Sequence, residues 1–331
     1  MEAVLLAAGR GKRLRPLTDV VPKPLLPCHP LSLIARNISV LAALGVTRVV
    51  VVVHHLARMV KAALGSGEDY GLTLTYVDQG TPAGTAHAVS VASREVRGEE
   101  FLLLFSDVLI PPDAIRSLME SSPPAVVGAR VPDPWNYGCL DLDGPFMRRV
   151  VEKPSRGSEP SDLVLAGAYL LDARVADACR DVPPSPRGEY ELTDALNAVA
   201  ATRPISVITA DYWIDAGRPP DLMKSLQLLL DEARQGVWSP GDGLYPDEPV
   251  YIHPSSEALG YISPYSAVGP SSYVAPTARV IRSCLVSDVR ILEGSEVSWI
   301  FACPGFTAPP GSILAGTSSS PRILTPSWRG S

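Results

Sequence analysis

Val4-Leu5-Leu6-Ala7-Ala8-Gly9-Arg10-Gly11-Lys12-Arg13-Leu14-Arg15-Pro16-Leu17-Thr18 opens the chain, and Pro22-Lys23-Pro24 closes the same stretch. A short apolar run breaks into glycines and bases, the pattern of a buried strand that empties into an anion-binding loop. Glycine has no Cβ, so the backbone at Gly9 and Gly11 can bend tightly and turn its N–H groups toward a phosphate. Arg10, Lys12, Arg13 and Arg15 concentrate positive charge on that turn, and Lys23 returns between two prolines. The string lacks the G-x-x-x-x-G-K-[ST] of a P-loop, and Leu14 stands where a dinucleotide fingerprint needs its third glycine.

Working outward, Leu33, Ile34, Ile38, Leu41 and Leu44 recur at helical spacing until Gly45. Residues 48 to 53 form a near-continuous valine run, as in a strand buried on both faces. A second helical pattern covers 56 to 64, and a strand pattern covers 72 to 77. This alternation predicts a doubly wound, mostly parallel, Rossmann-like α/β sheet. Ligands bind such sheets beyond the carboxyl ends of the strands, where Gly9 to Arg13 falls. Phe101 to Phe105 reads as another buried strand, ended by Ser106-Asp107; an acid there is costly unless paired or metal-bound. From Pro124 the strands shorten, and Asp143-Gly144 is a hairpin turn signal.

The opening stretch resembles the LAAGxGTRLRPLT…PKP motif of the sugar-phosphate nucleotidylyltransferases, with Lys12 in place of the usual Thr. The resemblance continues along the chain. Gln79…Gly84-Thr85-Ala86 is similar to the family's Q…GTAxA element, in which the Gln reads the base. Ser106-Asp107 is similar to its GD element, with Ser106 replacing Gly. Tyr137-Gly138, Glu152-Lys153-Pro154 and Ala166-Gly167-Ala168-Tyr169 resemble the YG, EKP and AGxY elements of the sugar half. Glu189 to Ala195 matches an architectural EYELTDA stretch, and Asp215 resembles the family's second metal ligand.

This resemblance implies that Leu6, Ala7, Ala8, Gly9, Gly11, Lys12 and Arg13 hold the nucleotide, together with Gln79, Gly84, Thr85 and Asp107. It implies that Tyr137, Gly138, Glu152, Lys153, Gly167 and Tyr169 hold the sugar phosphate. Catalysis falls to Arg13, Lys23, Asp107, Lys153 and Asp215, with Mg²⁺ on Asp107 and Asp215. The implied reaction joins an NTP, dTTP or UTP, to a sugar 1-phosphate such as glucose 1-phosphate, releasing pyrophosphate and an NDP-sugar. A non-catalytic scaffold of the same fold and a GTP-using mannose-1-phosphate guanylyltransferase are the alternatives.

Composition bounds these readings. The 331 residues are 46% hydrophobic and carry a formal charge of -6, which argues against nucleic acid as the main partner. Five cysteines stand far apart, as free thiols of a reducing cytoplasm do, and no apolar run reaches the length of a membrane span. After a catalytic domain over 1–235 and a linker over 236–249, Val250, Ile262, Val268, Val274, Val280 and Val286 recur at six-residue steps, with Ser256 as the exception. That period predicts a short left-handed parallel β-helix over 250–302, about seven hexapeptides or little more than two turns, followed by an irregular tail over 303–331. His253 is its sole histidine. The helix is expected to assemble a homo-oligomer and to perform no chemistry.

Overall fold

β-Branched and aromatic residues favour extended backbone, and the first four strands, each carrying some of them, are β1 (Glu2–Ala7), β2 (Arg48–Val53), β3 (Thr73–Asp78) and β4 (Glu100–Phe105). The computed structural model describes residues 1–81 and 83–327. Five more strands complete the sheet: β5 (Ala125–Arg130), β6 (Gly138–Asp143), β7 (Phe146–Glu152), β8 (Leu163–Asp172) and β9 (Ile205–Thr209). Their order is β3-β2-β1-β4-β8-β5-β9-β7-β6. Strand β8 runs antiparallel to β4 and β5, and β7 antiparallel to β9 and β6, so seven of the nine strands share one sense. The helices of eight residues or more are α1 (Leu33–Ala43), α2 (Ala57–Leu64), α3 (Thr85–Ala92), α4 (Pro112–Met119), α5 (Ala173–Asp181), α6 (Leu192–Ala200) and α7 (Pro219–Arg234).

Val4, Val50, Val52, Phe101 and Leu103 share one hydrophobic core with α3, α5 and α6 residues such as Val89, Val175 and Leu196. The alternate residues Leu5, Val51, Leu102 and Leu104 are buried as well, and period two puts them on the opposite face. Both faces of the central strands are therefore dry, which is why their sequences lack polar alternation.

The chain divides into two compact units. The first comprises Met1–Gly9, Leu41–Ala57 and Gly65–Trp213 and contains the nine-stranded sheet; the second comprises Arg10–Val40, Arg58–Leu64 and Ile214–Ser331. Among the described residues of the second unit, thirteen short strands form three parallel sheets of five, four and four, the three faces of a β-helix. Glu257 pairs with Tyr273, Tyr273 with Arg290 and Arg290 with Thr307, so successive coils take 16, 17 and 17 residues.

The inward column is Val268, Val274, Val280, Leu285, Ile291, Val297, Ala302, Ala308 and Leu314. Its steps are six, six and five residues, repeated, so a constant step of six loses phase after Val280. Leu285, not Val286, enters the core. The expected irregular tail is likewise corrected. Strands Thr307–Ala308, Ile313–Ala315 and Arg322–Leu324 carry the coil well past 302, to more than four turns. Residues 328–331 of that stretch lie outside the described residues. Ala302 and Ala308 fill the interior where earlier coils place valine, leucine or isoleucine, and Pro, Ser and Gly belong to the corners. Trp238 breaks the character expected of a linker: it is buried, and its indole N–H donates to the Leu229 carbonyl at 3.2 Å.

One face of the coil is covered within its own unit. Tyr251, Ala267, Cys284 and Phe301 are all fully buried, and the Cys284 thiol contacts the Pro27 carbonyl at 3.5 Å. Nearby, the Arg36 guanidinium meets both carboxylate oxygens of Glu232 at 2.8 and 2.7 Å, fixing α1 to α7 in a buried ion pair. Among the described residues no helix is long and apolar enough to cross a membrane.

Candidate active site

Parallel pairing brings several strand ends to one edge of the first unit. Leu6 stands opposite Phe105 and Ala7 opposite Val53, so β1, β2 and β4 finish side by side. Ser106 continues the ladder through its N–H to the Leu6 carbonyl, 3.2 Å away. Its hydroxyl donates to the same oxygen at 2.7 Å, which satisfies a polar side chain that is 1% exposed. Asp107 follows immediately, half-buried in the turn after β4. On the other side, the Gln79 N–H bonds the Val53 carbonyl at 2.9 Å, setting Gln79 at the end of β3. Ala8, Gly9, Gln79 and Asp107 thus lie along the carboxyl edge, as the sheet rule requires. A Cβ at Gly9 would meet nothing within 4 Å, so Gly9 is not demanded by crowding from the protein itself.

The Gln79 side chain is nearly buried and gives one amide hydrogen to the Gly84 carbonyl at 3.0 Å. A primary amide carries two hydrogens and an acceptor oxygen, so this bond orients it without exhausting it. Gly84 has φ +107°, a conformation that L side chains rarely adopt. The loop is held by the segment read as architectural: Tyr190 N–H donates to Ala83 O at 2.7 Å, and Ala86 N–H donates to Tyr190 O at 2.9 Å. The Thr85 hydroxyl oxygen accepts the Leu192 N–H at 3.0 Å.

The sugar-side residues gather further along the same unit. Gly138 pairs with Glu152 across β6 and β7, and the Lys153 N–H donates to the Tyr137 carbonyl at 2.9 Å. Tyr137 packs edge-on against Trp213 with ring centres 4.9 Å apart, and the Trp213 indole N–H donates to Ala166 O at 3.0 Å. Gly167, at φ +80°, lets the backbone pass the Phe105 ring, where a Cβ would come within 3.1 Å. Tyr169 departs from expectation. It is 3% exposed, packs 5.8 Å from Phe105 and belongs to the hydrophobic core, so its ring supports the site from beneath. Burial first, then the Glu152 carboxylate, pushes its phenol pKa upward.

Arg187 is the residue that sequence reasoning missed. Its guanidinium lies 3.2 Å from Glu152 and 2.8 Å from the buried carboxylate of Glu191, with Lys153 Nζ 3.5 Å from Glu152. Two cations therefore flank one carboxylate where a sugar phosphate is expected. The signal was available: an arginine directly before the Gly188-Glu189-Tyr190 stretch.

The second unit holds the remaining charged residues. Gly11 adopts φ +61° and caps a single 3₁₀ turn, Lys12–Leu14, and the Thr18 hydroxyl donates to the Gly11 carbonyl at 2.9 Å. A Cβ on Gly11 would stand 2.9 Å from Thr18 Cγ2, so here glycine is required twice over. Lys12 and Arg13 remain exposed on that turn. The Lys23 side chain, in contrast, is only 8% exposed, and its ammonium lies 3.4 Å from Asp215 Oδ1. Arg13 Nη2 lies 3.8 Å from Asp215 Oδ2. Gly217 makes room for this cluster, since a Cβ there would come 2.8 Å from Arg13 Nη2. A lysine so thoroughly desolvated is stable only beside a carboxylate.

Residues 2–232 match the nucleotidyl transferase family. A low-salt glycan biosynthesis nucleotidyltransferase of Haloferax volcanii is 32% identical over 82% of this chain and 84% of its own length. A glucose-1-phosphate thymidylyltransferase of Streptomyces griseus is 30% identical over 91% of this chain and 89% of its own. A crystal structure of UDP-glucose pyrophosphorylase complexed with UDP-glucose shares the fold at TM-score 0.61 and 22% identity, over 68% of this chain and 96% of that one.

Proposed function

The chain belongs to the nucleotidyl transferase family, and from that premise we propose which of its residues carry the reaction and on which substrates. The enzyme transfers a nucleotidyl group from a nucleoside triphosphate to a sugar 1-phosphate, giving an NDP-sugar and pyrophosphate. We assign dTTP or UTP as donor and glucose 1-phosphate or a close relative as acceptor. Support comes from the Gln79 amide beside Gly84, suited to a pyrimidine edge, and from the thymidylyltransferase likeness.

The observation that carries this reading is the buried Lys23 held beside Asp215 and Arg13. A sugar phosphate is itself the nucleophile, so the enzyme needs charge neutralisation and alignment at the α-phosphorus more than a nucleophilic side chain. The Gly9–Arg13 loop binds the β- and γ-phosphates, and Arg13 stabilises the departing pyrophosphate. Lys23 meets the transferring α-phosphate. Lys153 meets the attacking phosphate, and Glu152 accepts from the sugar hydroxyls.

Asp107 and Asp215 are the ligands assigned to Mg²⁺. Two hard carboxylates suit that ion, which leaves its remaining positions to water and phosphate oxygen. The side chain of Asp215 is 18% exposed and lies 3.4 Å from Lys23 Nζ and 3.8 Å from Arg13 Nη2. When bound, the ion supplies charge to the α-phosphate oxygens. All five cysteines are buried free thiols, which supports a reducing cytoplasmic location. We assign residues 1–235 to catalysis and the coil after 250 to assembly of a homo-oligomer, since Leu259, Tyr261 and Ile313 are more than half exposed on it.

Pyrophosphate release, measured with each of four NTPs against several sugar 1-phosphates and Mg²⁺, tests the assignment. Turnover with dTTP or UTP and glucose 1-phosphate is expected. Preference for GTP with mannose 1-phosphate would replace the substrate assignment, and silence with every pair would leave a scaffold.

A further inference from the structure

Lys153 is among the few residues other than glycine with positive φ, here +46°. An L side chain crowds its own backbone in that region, so neighbours must over-determine the conformation. One restraint is the Lys153 N–H bond to Tyr137 O, at 2.9 Å, which extends the β6–β7 ladder by a residue. A second lies two residues beyond Pro154. The turn Ser155–Ser158, closed by Ser158 N–H to Ser155 O at 2.9 Å, carries Arg156, whose guanidinium sits 4.6 Å from the centre of the Trp135 ring.

Trp135 is itself fixed. It rides on the 3₁₀ turn Pro134–Asn136, where Asn136 Nδ2 donates to Asp133 Oδ2 at 2.8 Å and the Cys139 thiol contacts Pro134 O at 3.0 Å. Trp135 precedes Tyr137 by two residues, and Arg156 follows Lys153 by three. The stack therefore bridges the two loops that carry the sugar-side residues.

We propose that Trp135 and Arg156 are positioning residues: their stack closes the loop after Lys153 onto the loop before Tyr137, holds Lys153 left-handed, and so sets where its ammonium meets the sugar phosphate. This rests on the reading of Lys153 as the cation for the attacking phosphate. Arg156 is exposed and touches Trp135 from outside, so it can be removed without disturbing the core.

The test uses the full chain with Mg²⁺, dTTP and glucose 1-phosphate, or the best pair from the substrate screen if that differs. Arg156→Ala should raise the KM for glucose 1-phosphate about fivefold, the strength of an exposed cation–π contact, while the KM for dTTP stays unchanged. Arg156→Lys keeps the cation and should restore most of the loss, and Trp135→Phe should fall between wild type and Arg156→Ala. In a Lys153→Ala background, Arg156→Ala should add nothing. Equal losses in both backgrounds, or an equal rise in the KM for dTTP, would overturn the proposal. If Lys153→Ala itself leaves the glucose 1-phosphate KM unchanged, the reading of Lys153 falls and the proposal with it. If Lys153→Ala raises it and Arg156→Ala does not, the proposal alone falls.

Discussion

Gly84 passes so close to Tyr190 that a Cβ on it would stand 2.4 Å from the Tyr190 carbonyl oxygen and 2.6 Å from the Tyr190 nitrogen. The loop assigned to the base is thus laid directly on the backbone of the segment that carries Arg187 and Glu191. Both contacts are with main-chain atoms, which cannot step aside as a flexible side chain would. Gly84→Ala adds left-handed strain to that clash. We expect it to cost more than about 2 kcal/mol in stability and to raise the KM for the nucleotide more than that for the sugar phosphate. Denaturant unfolding together with initial-rate kinetics reads both.

Lys23 and Asp215 supply a second prediction. Lys23→Ala removes the cation assigned to the α-phosphate and leaves a carboxylate beside the hole, so kcat should drop by about 100-fold to 1,000-fold. Asp107→Asn and Asp215→Asn should each lower kcat greatly, and the double substitution should do little more, because residues acting as one unit are non-additive. Chelation of Mg²⁺ should stop turnover reversibly. Losses that multiply in the double variant would show that the two carboxylates do not share an ion.

The edge of β1 carries a pH-dependent contribution. Burial pushes the Glu2 carboxyl upward, but the Arg97 N–H at 2.6 Å and the Arg48 guanidinium at 2.8 Å outweigh it and hold its pKa below the usual value. The folded state therefore binds fewer protons than the unfolded chain. Its contribution is present above the ordinary carboxylate pKa and is lost as pH falls through the depressed one. Glu2→Gln should lower stability by about 1 kcal/mol near neutral pH, with the gap to wild type closing in acid. A gap that is constant across pH would contradict this.

Stacked corners of the coil make a fourth case. Tyr265, Arg282 and Trp299 occupy equivalent corners at φ +61°, +44° and +55°, and the Arg282 guanidinium lies 5.4 Å from each ring. Arg282→Ala keeps the backbone strain and loses both ring contacts, so it should cost about 1–2 kcal/mol. Arg282→Gly loses the same contacts but relieves the strain, roughly 1 kcal/mol. The glycine variant should therefore melt above the alanine variant, although alanine is ordinarily the more stabilising residue. The reverse order would mean that the corner strain is negligible.

Legibility in the sequence followed the strength of the physical constraint. The valine run of β2 and the leucines of β4 are buried on both faces, so their composition alone announced the sheet and the edge where its strands end. Gly9, Gly11 and the cations after them were readable because glycines and bases cluster directly behind an apolar strand, a dense local pattern. The β-helix was visible only where its step held at six, from Ile262 through Val280, and the five-residue step to Leu285 concealed the later coils. Alanines 302 and 308 compounded this, since a small interior residue carries little hydrophobic signal. Arg187 and the Trp135–Arg156 stack escaped for another reason: their partners are brought together by loops, which follow no period. Tyr169 matched a motif assigned to the sugar half, yet its own side chain turns into the core.

The covered face of the coil bears on how such a chain can change over generations. Tyr251, Ala267, Cys284 and Phe301 are buried, and the Cys284 thiol lies against the Pro27 carbonyl beside the buried Cys28. Substitutions on one side of this seam are constrained by the other, although more than two hundred residues separate them in sequence. The coil is accordingly not a cassette that can be exchanged at residue 250. A chimera bearing a relative's coil will seat only if the segment around Pro27 and Cys28 travels with it, so the two are inherited as one piece of the molecule.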